Sequence, residues 1–121
     1  MHAMELNDLK ESVYWANLDL KESGLVLFTF GNVSGVDRRS NLMVIKPSGV
    51  AYDALTPENM VCVSLETGLA VDSELNPSSD TATHLEIYRA FDSCGGIVHT
   101  HSEFATACAQ ARIPIPIRIG A

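Results

Sequence analysis

Apolar residues near the start of the chain recur every three or four positions, at Leu6, Leu9, Val13, Ala16 and Leu20. This spacing puts them on one face of a helix, which predicts an opening amphipathic helix that packs against the rest of the fold. Gly24 follows at a position where helix C-termini are commonly capped. The pattern therefore predicts a helix that ends shortly before Gly24.

Shorter apolar runs, bounded by glycine, proline or polar turns, predict strands at residues 25–30, 33–37, 42–46, 60–65 and 97–101. Between them, Thr56, Pro57 and Glu58 indicate a capped single helical turn, because proline is favoured at a first helical position. A helix is predicted from about residue 80 to 91, with Leu85, Tyr88 and Phe91 inward, and another through residue 111. Helices before, between and after short strands predict one layered α/β domain over residues 1–121, with a mixed sheet.

Composition limits the class of partner. Fifteen acidic and eight basic residues among 121 give a formal charge of −7, which repels nucleic acids and anionic membranes, so neither is expected as a partner. The apolar runs are too short to cross a bilayer and the chain opens without a signal segment, which predicts a cytoplasmic protein. The odd number of cysteines, without Cys-x-x-Cys spacing, predicts buried reduced thiols at Cys62, Cys94 and Cys108.

A candidate metal site begins with His99 and His101, which end an apolar run. Residues two apart in a strand share a face, so both imidazoles could reach one Zn²⁺ ion. Asp80 could add an anionic ligand if the fold brings it near. The alternatives are two half-exposed histidines on a sheet edge, and an acid favoured by the helix dipole. His84, one turn after Asp80, is interpreted as a packing or hydrogen-bonding residue, and His2 as incidental.

A candidate phosphate site consists of three loops rich in small residues, at positions 29–32, 47–49 and 77–79. Their hydroxyl and backbone N–H groups can donate to phosphate oxygens, and Ser78 and Ser79 precede a predicted helix N-terminus. Lys46 adds a cation among these loops. Each loop alone is more often an ordinary turn, so the prediction depends on the three occurring together.

The order of these segments resembles that of the class II aldolase/adducin family, over the chain to about residue 110. The matching stretches are Gly31-Asn32-Val33-Ser34, Val44 to Val50, Pro77 to Thr81, and Gly96 to Ser102. The resemblance implies a three-layer α/β/α fold, a homotetramer, and a divalent metal, usually zinc, held by three histidines and a carboxylate. By motif, Asp80, His99 and His101 match metal ligands. The residues that match substrate and phosphate contacts are Asn32, Lys46, Ser48, Gly49, Ser78 and Ser79.

Within the family, the likeness is nearest to the 4-epimerases of L-ribulose 5-phosphate, because aspartate rather than glutamate follows the paired serines at position 80. This resemblance implies a phosphorylated ketopentose substrate and its conversion to D-xylulose 5-phosphate by metal-assisted retro-aldol chemistry, as in pentose (arabinose) catabolism. The alternatives are a fuculose- or rhamnulose-phosphate aldolase, an inactive adducin-like interaction module, and a remnant without function.

The resemblance changes at the end of the chain. Residues 113–117 still resemble the family, whereas residues 118–121 do not match its Gly-Thr-Thr-His-Ala-Asp stretch. By this resemblance the domain is incomplete at its C-terminus. The third metal-binding histidine and the acid/base aspartate and tyrosine are expected beyond Ala121, so no catalytic residue is assigned within the chain. The chain alone is expected to be catalytically impaired.

Overall fold

The computed structural model describes residues 2–71 and 73–117. The described elements, in chain order, are α1 (His2–Glu22), β1 (Asn32–Asp37), β2 (Leu42–Ile45), 3₁₀ turns at Tyr52–Ala54 and Pro57–Asn59, β3 (Val61–Ser64), β4 (Ala70–Val71), α2 (Thr81–Ala90), β5 (Gly96–His99) and α3 (Glu103–Ala111). The predicted opening helix, capped turn and two later helices are thus present. The short turn at Pro57 has the reciprocal Thr56–Asn59 capping box.

The strands form one sheet in the order β4-β3-β2-β1-β5. The β1–β2 hairpin closes where Asp37 pairs with Leu42, and β5 adds to the other side of β1, with Asn32 opposite His99. The α/β class is confirmed. All pairings between the described strands are antiparallel, so this part of the chain lacks the parallel pairing of a mixed sheet.

Helices cover both faces of this sheet. Side chains alternate along the strands, so that Val44 and Cys62 face the α1 side, whereas Met43, Ile45 and Val63 face α2. This alternation separates two apolar clusters and produces the three layers, helix, sheet and helix, that were predicted. The sheet is therefore packed on both faces, and the polar loops lie at one end of it.

Asn17 joins α1 to the sheet by a contact that periodicity did not predict. Its side chain is fully buried. The amide Nδ2 donates to the Val13 and Val33 carbonyls at 2.8 and 3.1 Å, and its Oδ1 accepts from Val33 N–H at 2.9 Å. The Asn17 side chain thus satisfies the backbone N–H and carbonyl of Val33, as a neighbouring strand would.

Residues 25–30 form a turn, so the predicted first strand is wrong. Phe28 adopts a left-handed conformation with φ of 54°, and Phe30 N–H donates to the Leu27 carbonyl at 2.9 Å. Val26 is buried, whereas Leu27 and Phe28 are exposed. Leu25, Val26, Leu27 and Phe30 line a groove, and none of the described strands pairs with this run.

Three smaller expectations also change. Phe91 is 62% exposed instead of inward, because α2 ends at Ala90 and the chain leaves the core there. Cys62 is buried as expected, but Cys94 and Cys108 are only partly buried. Cys94 follows α2 and packs at the margin of the apolar cluster on that side of the sheet, whereas Cys108 lies on α3, which has no buried residue. Among the described residues, no helix is long and apolar enough to cross a membrane. Residues 118–121, on which the predicted departure from the family pattern rests, lie outside the described residues.

Candidate functional site

A cleft of about 340 Å³ opens at the end of the sheet where β1 begins and β5 ends. Every residue predicted to contact substrate or metal lines this cleft: Asn32, Lys46, Ser48, Gly49, Ser78, Ser79, Asp80, His99 and His101. The three loops that were proposed as a phosphate site all contribute to it. The fold therefore gathers residues up to about seventy positions apart in sequence into one place, while their individual roles stay predictions.

Backbone hydrogen bonds hold two of the loops against each other. Ser78 N–H donates to the Lys46 carbonyl and Ser48 N–H donates to the Asn76 carbonyl, both at 2.9 Å. Pro47 and Pro77 form an isolated antiparallel bridge between these contacts. Because the backbones are joined in this way, the hydroxyl groups of the two loops border the same opening.

Lys46 provides a buried positive charge at the base of the cleft. It is 2% exposed, and its Nζ donates to the Thr29 carbonyl at 3.1 Å and lies 4.9 Å from the ring centroid of Tyr52. Among the described residues, no carboxylate lies within ion-pair distance of Nζ. Burial lowers the pKa of this ammonium group. An anion that enters the cleft would supply the missing countercharge.

Tyr52 supports this arrangement and was not found from the sequence. It is buried, and its hydroxyl donates to the carbonyls of Phe30 and Gly31 at 2.9 and 3.1 Å. The ring thereby fixes the first cleft loop and places its π face beside Lys46. No local motif marks this tyrosine, because its partners lie about twenty residues earlier in the chain.

Asp80 stands at the N-terminus of α2, but its side chain does not cap the helix. Its Oδ2 instead accepts hydrogen bonds from Asn32 Nδ2 at 2.7 Å and from His99 Nδ1 at 2.8 Å. Partial burial acts to raise the pKa of this carboxyl group, but the hydrogen bonds from Asn32 and His99 outweigh it, so the pKa is lowered. Asp80 is therefore an ionised carboxylate at neutral pH, held toward the cleft.

The two histidines of the cleft differ in secondary structure, one lying in a strand and the other in the loop after it. His99 is the last residue of β5, whereas His101 lies beyond the strand, so the expected strand over 97–101 is two residues too long. The His101 N–H donates to the Leu25 carbonyl at 2.9 Å, and its ring stacks on Phe30. The two imidazole centroids are nevertheless 4.9 Å apart. The pair is formed by the sheet edge and the 25–30 turn together.

These side chains fit part of a zinc site. Two imidazoles and a carboxylate are the donor types that Zn²⁺ prefers, and all three line one cleft. Among the described residues, however, no three His, Cys, Asp or Glu side chains are placed together as a complete metal-holding group. Because Nδ1 of His99 faces Asp80, Nε2 is the ring nitrogen that could bind a metal.

His84 belongs to the core, as interpreted from the sequence. It is 2% exposed, and its Nδ1 lies 2.6 Å from Ser34 Oγ, which in turn lies 2.7 Å from the Tyr88 hydroxyl. Burial lowers the pKa of His84 and raises that of Tyr88 to about 12. Both groups are therefore neutral at physiological pH.

The sequence profile of the family described as Class II Aldolase and Adducin N-terminal domain matches residues 11–119. This match covers almost the whole chain, including all the cleft residues.

The chain is also similar in fold to solved structures of aldolases. An L-fuculose 1-phosphate aldolase shares 34% identity with a TM-score of 0.83, over 90% of this chain and 51% of that one. The L-fuculose-1-phosphate aldolase of Thermus thermophilus shares 29% identity with a TM-score of 0.67, over 84% and 50%. A third, from Glaciozyma antarctica, is 21% identical with a TM-score of 0.77, over 91% and 46%, and supports the fold alone. The chain spans about half the length of these relatives.

Proposed function

This chain belongs to the family of class II aldolase and adducin N-terminal domains, and we propose that its cleft binds a phosphorylated sugar for retro-aldol chemistry. The first candidate reaction is 4-epimerisation of L-ribulose 5-phosphate. The observation that carries the proposal is Lys46, a buried ammonium group without a carboxylate partner among the described residues, at the base of a cleft rich in hydroxyl groups. The epimerase reaction is inferred from the sequence, in which aspartate follows the paired serines at positions 78 and 79.

The phosphate group is the best fit to the Lys46 side of the cleft. Ser48 and Ser79 are exposed at its border, and Ser78 and Ser79 lie directly before α2, whose N-terminal dipole favours an anion. Gly49 adopts φ of 68°, and a β-carbon there would meet nothing within 4 Å. The absence of a side chain leaves this part of the opening free for a ligand to approach the backbone.

The opposite wall would hold the reacting carbons. His99, His101 and Asp80 are the residues that would hold a divalent metal, with Asn32 orienting Asp80. When bound, such an ion supplies Lewis-acid polarisation of the ketose carbonyl and adjacent hydroxyl groups. The ring of His101 stacks on that of Phe30, which orients the histidine on this wall. The chain's own residues thus orient the two ends of a sugar phosphate at separate places.

Aspartate at position 80 favours epimerisation over net cleavage, because two serines followed by aspartate is the pattern that resembles the epimerases. An aldolase must deliver a proton to the carbon left by bond cleavage, whereas an epimerase returns that carbon to the aldehyde after the aldehyde has turned over. One oxygen of Asp80 accepts hydrogen bonds from Asn32 and His99. A charge-holding role fits this carboxylate better than proton donation.

A second candidate is aldol cleavage of the L-fuculose 1-phosphate type. It is favoured by the 34% identity to an L-fuculose 1-phosphate aldolase. The two reactions differ in their products, since epimerisation yields D-xylulose 5-phosphate and cleavage yields dihydroxyacetone phosphate and an aldehyde. Substrate comparison therefore separates them.

The test has a binding step and a turnover step. L-ribulose 5-phosphate and unphosphorylated L-ribulose are titrated into the protein by calorimetry, and the phosphorylated sugar is expected to bind more tightly. Zn²⁺ is then supplied with L-ribulose 5-phosphate in one sample and with L-fuculose 1-phosphate in another, and products are followed by ¹³C NMR. Equal affinity for the two sugars would remove the phosphate proposal, and cleavage products alone would replace the epimerase by the aldolase.

A further inference from the structure

Two side chains from a later part of the chain hold three successive carbonyl groups of the first cleft loop. Lys46 Nζ donates to the Thr29 carbonyl at 3.1 Å, and the Tyr52 hydroxyl donates to the carbonyls of Phe30 and Gly31 at 2.9 and 3.1 Å. These three oxygens are therefore engaged by donors, which reduces the negative potential that they present to an anion in the cleft. Lys46 and Tyr52 thus act on the same turn.

The described partners of the Lys46 ammonium group are all neutral. Besides its bond to the Thr29 carbonyl, Nζ lies 3.5 Å from the Pro47 carbonyl oxygen and 4.9 Å from the centroid of the Tyr52 ring. An aromatic ring attracts a cation through its quadrupole and carries no net charge, whereas a carboxylate in the same place would neutralise the lysine. The ring therefore holds the ammonium group and leaves its positive charge available.

The Tyr52 ring is itself fixed in place. It is buried, it begins the 3₁₀ turn Tyr52–Ala54, and its hydroxyl is held at the far end of the ring by the two carbonyls. Burial raises the pKa of this hydroxyl, which therefore stays protonated and continues to donate at neutral pH. A ring held at both ends gives the ammonium group a defined partner before any ligand arrives.

The charge of the rest of the chain explains why a neutral partner is needed. The chain has a formal charge of −7, so an anion gains nothing from overall attraction. Asp80 is the one acid among the described residues that line the cleft, and it is engaged by Asn32 and His99 on the other wall. Binding of an anion therefore depends on the charge of Lys46, which a carboxylate partner would remove.

We propose that Tyr52 is a positioning residue of the phosphate site: its ring holds the Lys46 ammonium group in place and leaves the charge of that group for the phosphate of the substrate. The phosphate part of this inference rests on the proposed function, whereas the placement of Lys46 by the ring does not. Tyr52 acts through Lys46, because Lys46 lines the described cleft and Tyr52 does not.

The binding test uses inorganic phosphate, titrated by NMR into the unaltered chain, Tyr52→Phe and Tyr52→Leu. Phenylalanine keeps the ring, so the affinity for phosphate is expected to stay within about twofold, whereas leucine is expected to weaken it by about 5- to 30-fold, the scale of a desolvated cation–π contact. Tyr14→Leu removes a tyrosine ring that does not line the cleft, and as the matched control it should bind phosphate as the unaltered chain does. In the Lys46→Met background, Tyr52→Leu is expected to cause no further loss of affinity.

The NMR signal of Lys46 gives a second readout that needs no ligand. Its ε-methylene protons adjoin the Tyr52 ring, so the ring current is expected to shift them upfield of those of the exposed Lys21. The shift should persist in Tyr52→Phe and disappear in Tyr52→Leu. The unaltered chain gives this signal even if Tyr52→Leu does not fold.

The outcomes separate a positioning role from a structural one. Equal losses of phosphate affinity in Tyr52→Phe and Tyr52→Leu, a further loss in the Lys46→Met background, or an unshifted Lys46 signal would each overturn the proposal. If the unaltered chain binds no phosphate while the Lys46 signal is shifted, the proposed function fails and the placement of Lys46 by the ring stands.

Discussion

Nδ1 of His99 lies 2.8 Å from Oδ2 of Asp80, which joins the end of β5 to the start of α2 across the cleft. The sheet places Asn32 opposite His99, and Asn32 donates to the same carboxylate oxygen at 2.7 Å. One oxygen thus receives two donors from adjacent strands. The orientation of both the carboxylate and the imidazole is fixed before any ligand arrives, which is what a metal or substrate site requires.

Asp80→Asn is expected to weaken Zn²⁺ binding by about 10- to 100-fold, the usual scale when a group that orients or assists a metal-binding histidine is lost. The amide keeps the size of the side chain but removes the charge that His99 faces. Competition with a chromophoric chelator measures the affinity. Glu86→Gln, on an exposed part of α2, is the matched control and should bind zinc as the unaltered chain does. Equal affinity in both variants would contradict the role assigned to Asp80.

Lys46→Met is expected to weaken binding of L-ribulose 5-phosphate by about 10- to 100-fold, the equivalent of one charge-assisted hydrogen bond. The free energy of unfolding should not fall, because methionine fills the same space without burying an ammonium group. Calorimetry gives the affinity and urea denaturation the stability. Lys21→Met removes the same charge at an exposed site and should leave sugar-phosphate affinity unchanged. A loss of stability with unchanged affinity would make Lys46 a purely structural residue.

The residues of the cleft could be predicted from the sequence more accurately than the secondary structure that carries them. Glycine, serine and proline mark loops locally. The resemblance to the family then related these loops to one site, so that Lys46 and Ser78 could be predicted to lie together. The 25–30 run failed because an apolar run does not distinguish a paired strand from a turn that lines a groove. Asn17 and Tyr52 escaped detection because their long-range hydrogen bonds, to Val33 and Gly31, span sixteen or more residues, and no periodicity encodes such contacts.

Asn17→Leu is expected to lower the free energy of unfolding by about 1–3 kcal/mol, since leucine leaves the Val33 N–H and carbonyl without their buried partner. Thermal and urea denaturation measure the change. Asn7→Leu, an exposed position on the same helix, should shift stability by no more than about 0.5 kcal/mol. If both variants unfold alike, the bridge between α1 and the sheet contributes little.

The buried His84 predicts how stability depends on pH. Burial lowers its pKa below the ordinary 6.5, the charge of Asp80 opposes this shift, and the charge of His99 adds to it. In the unfolded chain the imidazole gains its proton near pH 6.5, whereas the folded chain resists protonation, so the unfolded state binds more protons below that pH. Stability should therefore be complete above about pH 6.5 and decrease as the pH falls from there toward the folded-state pKa.

His84→Gln tests this assignment, because glutamine can still hydrogen bond to Ser34 but cannot gain a proton. Urea denaturation between about pH 7.5 and pH 5, above the range in which carboxyl groups titrate, should show a smaller slope of stability with pH for the variant than for the unaltered chain. The variant need not be as stable at pH 7.5, since only the slope reports the proton. Identical slopes would mean that another group titrates in this window and that the Ser34–His84–Tyr88 network accepts a charged imidazole without cost.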